Sequence, residues 1–121
     1  MNKLKIRRKS HLYFLTFPIK VFIDDLEMGD IDEGIIKAYD IENLEPKIKI
    51  KGLVNDLELK IDLKHDSYFE IVQSFDFGMI RIEDPEKIIL SKKNTIHWGL
   101  YLVFMSISLL LIVGLLILWL I

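Results

Sequence analysis

Cysteine is absent from the 121 residues, which excludes disulfide stapling and thiolate metal sites. That absence is compatible with a reducing cytoplasm. An excess of one charge is missing too: 16 Lys and Arg against 18 Asp and Glu leave a formal net charge of -2. A general nucleic-acid binder usually shows a clearly basic face, so no nucleic-acid partner is expected. Catalytic signatures are also lacking. No P-loop, HExxH or nucleophile elbow occurs, and His11, His65 and His97 are too isolated in sequence to suggest a metal trio or a catalytic dyad. The last absence is local: no charged side chain follows Lys93, so residues 96–121 are apolar or neutral throughout.

That uncharged stretch dominates what is there. The hydrocarbon core of a bilayer is about 30 Å thick and a helix rises about 1.5 Å per residue, so roughly 20 apolar residues suffice to cross it. The expectation is a single C-terminal transmembrane helix over residues 96–121, anchoring the chain by its tail. Trp98 and Tyr101 near the entrance and Trp119 near the exit match interfacial aromatic belts. The rise from Trp98 to Trp119, about 31 Å, matches the membrane thickness. Lys92 and Lys93 precede the helix and no cation follows it, so the positive-inside bias places the soluble part in the cytoplasm and the C-terminus at the opposite face. Near the N-terminus, Lys3, Lys5, Arg7, Arg8 and Lys9 followed by residues 12–19 superficially resemble a secretory signal. Pro18 and Lys20 break the apolar run, and no small-residue cleavage site follows. The better reading is a pair of strands whose basic residues face water.

Between Lys3 and Glu83 the apolar residues recur every second position, not every 3.6, which predicts strands. In Leu57-Glu58-Leu59-Lys60-Ile61-Asp62-Leu63-Lys64 every odd position is apolar and every even one charged, as one buried face requires. Ile48 and Ile50 alternate with Lys47, Lys49 and Lys51. Ile19, Val21 and Ile23 alternate with Lys20, Phe22 and Asp24; Phe69, Ile71, Phe75 and Phe77 share one face, and Ile80 and Ile82 another. Turn residues separate these runs at Asp24-Asp25, Met28-Gly29, Glu33-Gly34, Asn43 to Pro46, Gly52, Asn55-Asp56, His65 to Ser67 and Gly78. The fold expected is all-β: a small antiparallel β-sandwich of six to eight strands over residues 1–83, a connector over 84–95 and the transmembrane helix. The Lys-rich run 47–51 reads as a candidate edge strand.

The runs Ile19-Lys20-Val21-Phe22-Ile23-Asp24, Met28-Gly29-Asp30-Ile31, Gly34, Tyr39-Asp40-Ile41 and Ile48-Lys49-Ile50 resemble the small β-sandwich modules called PEGA-like domains. The chain looks like short bacterial membrane proteins that open with a basic strand such as Lys5-Ile6-Arg7-Arg8-Lys9-Ser10 and finish in membrane helices. The resemblance covers roughly residues 4–75 and rests on turn-and-strand motifs. It departs from the pattern at Asp25, where a turn glycine is usual, and at Asn43-Leu44-Glu45-Pro46, which replaces a Pro-Gly turn. It implies a binding or envelope-associated module without enzymatic activity and transfers no functional residue.

The acidic stretch Asp24, Asp25, Glu27, Asp30, Asp32 and Glu33 invites comparison with a calcium loop. The fifth and twelfth ligand positions would fall on Gly34 and Ile41, so no metal and no cofactor is expected. In the helix, Gly99, Ser106 and Gly114 recur at intervals of seven and eight and fall on nearly one side, which suits close packing against another helix. The function expected is therefore non-enzymatic: a single-pass binding or scaffold subunit. Its partners are the lipid bilayer and another membrane protein or a second copy. Two alternatives stand beside it, an envelope or ligand-recognition module outside the cytoplasm, and an enzyme whose site gathers Asp24, Asp30, Asp32, His11 or His65.

Overall fold

Alternating burial along each strand follows the period-two pattern, and the resulting dry faces meet in a β-sandwich. A computed structural model describes residues 2–9, 17–73 and 79–121. His11, Phe75, Phe77 and Gly78 lie outside them. Nine strands are present among the described residues: β1 (Asn2–Arg8), β2 (Lys20–Ile23), β3 (Leu26–Asp30), β4 (Ile36–Ile41), β5 (Lys47–Lys51), β6 (Asn55–Ile61), β7 (Ser67–Gln73), β8 (Ile80–Glu83) and β9 (Ile89–Ile96). A single helix, α1 (Trp98–Leu120), follows.

One sheet has four strands in the order β4-β1-β7-β8, the other five in the order β3-β2-β5-β6-β9. Neighbours are antiparallel except β1 with β7, which run parallel with Ile6 opposite Phe69. The core between the sheets joins Leu4, Ile6 and Phe69 of the first to Val21, Ile48, Ile50, Leu57 and Leu59 of the second. Each such side chain contributes about 1.5 to 3 kcal/mol by leaving water, so a one-residue slip of any strand is heavily penalised.

Two expectations about this part of the chain are corrected. The Lys-rich strand β5 is not an edge. It lies at the centre of its sheet between β2 and β6, and its lysines project from the outer face, where Lys49 meets Glu58 at 3.9 Å and Lys47 meets Asp25 at 3.6 Å. The segment expected as a connector contains β9, which pairs with β6 from Asn55 opposite Ile96 to Ile61 opposite Ile89. No alternation marks β9 because the four-stranded sheet does not extend over it, so both faces are wet. Lys92 sits opposite the inward-facing Leu59 yet is exposed. An inward-pointing charge on an edge strand hinders pairing with a foreign strand.

Asp24 and Asp25 form the two-residue turn between β2 and β3, both at positive φ, 48° and 66°. Such a turn matches the twist of the strands, and Asp tolerates this conformation better than most side chains. The Asp24 carboxylate accepts the Lys47 N–H at 2.9 Å, and the Asp24 N–H donates to the Lys47 carbonyl at 2.9 Å. This acid is committed to tying two loops together.

The Tyr39 hydroxyl is buried in the core with no hydrogen-bond partner among the described residues. Burial pushes its phenol above the usual tyrosine range. A folded pKa raised this way means the contribution is complete below the unfolded value of about 10 and is lost as pH rises through the folded value. Lys9, raised chiefly by its hydrogen bond to Glu83, acts in the same alkaline direction. Replacing Tyr39 with Phe removes an unsatisfied polar atom and is expected to change stability at pH 7 by about 0 to +1 kcal/mol. The same variant should resist unfolding better than the parent above pH ~10. Urea titrations at pH 7 and pH 11 check both results.

Candidate functional site

The junction between the sandwich and α1 holds His97, Trp98, Gly99 and Tyr101 of the residues that the sequence singles out. β9 passes directly into the helix through His97, whose N–H donates to the Val54 carbonyl at 2.7 Å and whose carbonyl accepts the Tyr101 N–H at 3.0 Å. The His97 imidazole Nε2 lies 3.1 Å from Asp56 Oδ1. The helix therefore starts one residue beyond a strand fixed in the sheet, without a free linker. No side chain caps it and its first turn carries no acid.

Register shows which end of the sandwich faces the helix. Ile96 lies opposite Asn55, and the row from Thr95 continues through Asp56, Lys51 and Lys20 to Asp30. Asp30 and Asp32 thus belong to the helix end, while the Asp24 turn and His65 belong to the far end. The structure does not bring these residues together as one site. Ser67, expected in a turn, begins β7 and is 3 % exposed, and its hydroxyl donates to the His65 carbonyl at 2.9 Å.

Along α1 none of the 23 residues is buried. Leu109, Leu110, Leu111, Ile112, Leu115 and Leu118 are all exposed, and Trp119 is 83 % exposed. A helix apolar on every side and exposed over most of its surface is the pattern of a membrane span. Length and composition fit a crossing. Trp98 and Tyr101 stack edge to face with centroids 5.7 Å apart. Ser106 donates to the Leu102 carbonyl at 2.8 Å and Ser108 to the Phe104 carbonyl at 2.9 Å, so neither hydroxyl is left unsatisfied in an apolar medium. A Cβ built on Gly99 or Gly114 meets nothing within 4 Å, so none of the described residues fills the positions that these glycines leave open. Lys92 and Lys93 are exposed on β9. Because strands rise about 3.3 Å per residue, Lys93 stands roughly 16 Å of strand before Trp98. With Glu45, Lys47, Glu58 and Lys60 these lysines line a groove of about 480 Å³.

Two residues escaped the sequence reading. Phe17 packs against Phe104 with ring centroids 5.9 Å apart. Phe104 lies about 9 Å along the helix from its start, so this contact draws the end of the sandwich down beside the first turns. Tyr101, Phe104, Met105 and Ser108, half-buried at helical spacing, form the face turned toward the domain. The second is Arg8. Instead of facing water it is 2 % exposed, and its guanidinium donates to the carbonyls of Phe17 at 2.7 Å and Ile31 at 3.0 Å and to Gln73 Oε1 at 3.1 Å. Burial lowers its pKa, with Glu33 and Asp32 opposing that effect. Alternation along β1 contained the signal: Leu4, Ile6 and Arg8 share one face. Arg8 thus holds the backbone that presents Phe17 to the helix.

Comparison with protein-family models, with curated proteins and with solved structures finds no match.

Proposed function

We propose that this chain is a non-enzymatic, single-pass membrane subunit in which α1 holds a PEGA-like β-sandwich at the cytoplasmic face as a binding module within a larger membrane complex. The observation that carries the reading is the open helix: apart from the half-buried face around Phe104, which meets Phe17, its large apolar side chains are exposed. Burying each of them is worth about 1.5 to 3 kcal/mol, and only lipid or a second helix provides that environment. The rigid passage from β9 through His97 into α1 suits presentation at the bilayer surface, because the domain cannot swing away from it. Tethering raises the local concentration of partners in the same plane, so weak contacts become effective. Lys92 and Lys93 favour the cytoplasmic side by the positive-inside bias. The open side of α1 along Gly99, Ser106 and Gly114 suits a second helix, from another membrane protein or another copy.

Topology is tested with Lys64→Cys, since that side chain is 78 % exposed at the end of the sandwich away from α1. A membrane-impermeant thiol reagent should label this variant only after lysis. Labelling of intact cells would move the domain outside and favour an envelope module. Purification in mild detergent should recover a stoichiometric companion or a dimer, and Gly114→Leu should reduce that recovery. A monomer without companion at every detergent tested would overturn the scaffold role.

A further inference from the structure

Along one side of the sandwich the two sheets leave a seam open. There β3 ends the five-stranded sheet and β4 ends the four-stranded one, so two strand edges lie near each other with no strand partner among the described residues. The Lys37 ammonium of β4 reaches across to the Asp30 carbonyl of β3 at one end of the seam. At the other end a groove of about 440 Å³ includes Ile23, Leu26, Met28 and Ile41, with Asp40 and Glu42 on its rim. Leu26 lies opposite the buried Ile23, an inward-facing position, yet is 67 % exposed, and Met28 two residues on is 37 % exposed. Neither Asp40 nor Glu42 has an ion-pair partner among the described residues. This end of the domain points away from α1.

We propose that the seam accepts an extended segment of a partner protein, with apolar side chains alternating with Lys or Arg, added as a strand on the free edge of β4. An unpaired edge supplies the backbone donors and acceptors for such an addition, and pockets for alternate side chains supply selectivity. The chemistry of the guest follows from the other edge of β4. There β1 already presents this pattern, with Lys3 opposite Asp40 and Leu4 opposite Tyr39. A guest in the equivalent register places a cation beside Asp40 and Glu42 and an apolar group against Ile41, Leu26 and Met28. Charge complementarity favours a basic guest because neither rim carboxylate is held in an ion pair by a described residue. A second copy of this chain fits less well: among the described strands, β1 and β5, which alternate apolar residues with Lys or Arg, are both paired along both edges.

The inference rests on the binding-module reading and names the partner's chemistry. Its test uses the full chain in detergent micelles and a fluorescein-labelled, capped heptapeptide of alternating lysine and valine, read by anisotropy at physiological salt. Saturable binding is expected, and each of Leu26→Lys and Glu42→Lys should weaken it about tenfold. Both substitutions fall on exposed positions, and circular dichroism confirms that the sheets persist. In the complex, hydrogen exchange should slow at amides of Ile36–Ile41. No binding, equal binding to the variants, equal binding of a glutamate-valine peptide, or protection confined to other strands would each overturn the proposal. If the peptide fails while the chain still co-purifies with a membrane companion, the seam assignment falls and the tethered module stands.

Discussion

Asn55→Ala is expected to destabilise the sandwich by about 2 to 5 kcal/mol. Asn55 is fully buried. Its Nδ2 donates to the Ile80 carbonyl at 3.0 Å, and its Oδ1 accepts the Ile80 N–H at 2.8 Å. That reciprocal pair links β6 of one sheet to β8 of the other in place of a backbone ladder. Nδ2 also donates to Asn94 Oδ1 at 2.8 Å, which braces β9 next to the helix junction. Alanine leaves both backbone groups of Ile80 without partners in a dry setting, and each such group costs about 1 to 3 kcal/mol. Asn55→Asp should fare little better, because a carboxylate keeps one acceptor but meets two other oxygens. Asn94→Ala, at an exposed side chain, should cost less than about 1 kcal/mol. Urea unfolding of the full chain in micelles compares the three; equal losses at Asn55 and Asn94 would refute the role assigned to the inter-sheet pair.

This residue shows where legibility from sequence ended. Asn55 stood in the pattern as a turn residue, and its type gave no sign that a long-range partner awaited its side chain 25 positions later. Strand alternation, by contrast, was readable wherever one face is dry, as in β5, β6 and β7, because the pleat and the core impose the same period. β9 escaped because an edge strand with two wet faces carries no such constraint, and its lysines looked like a linker. The central place of β5 was equally hidden: charges on an outer face look alike in the middle of a sheet and at its rim. Arg8 is hard to read because its residue type points to water while its position lies on the inward face of β1. The helix α1 is legible from composition alone, because an uncharged apolar run of that length carries no period-two alternation. Phe17 was not, since its contact with Phe104 spans most of the chain.

The second large effect concerns the helix. Replacing Leu109 and Ile112 together with arginine is expected to convert the chain from carbonate-resistant in membranes to largely extractable. A mid-span arginine costs insertion about 2.5 to 3.5 kcal/mol, so the pair costs roughly 5 to 7. Leu118→Arg, one turn from the exit, should stay in the pellet because a long side chain near the end of a span reaches the interface. Extraction of Leu118→Arg as readily as the double variant would point to general misfolding. Retention of both would show that lipid is not what surrounds the centre of α1.

Everything proposed here depends on α1 crossing the bilayer, and depth-dependent fluorescence quenching measures that crossing directly. In liposomes containing brominated lipids, single-tryptophan versions of the chain report the depth of Trp98, of Leu109→Trp and of Trp119 in turn. A shallow, deep, shallow sequence is the result this account predicts, with Leu109→Trp quenched best by bromines near the ends of the acyl chains. Three shallow positions would lay the helix along the surface, and three unquenched positions would place it in water or against protein; either outcome contradicts the account.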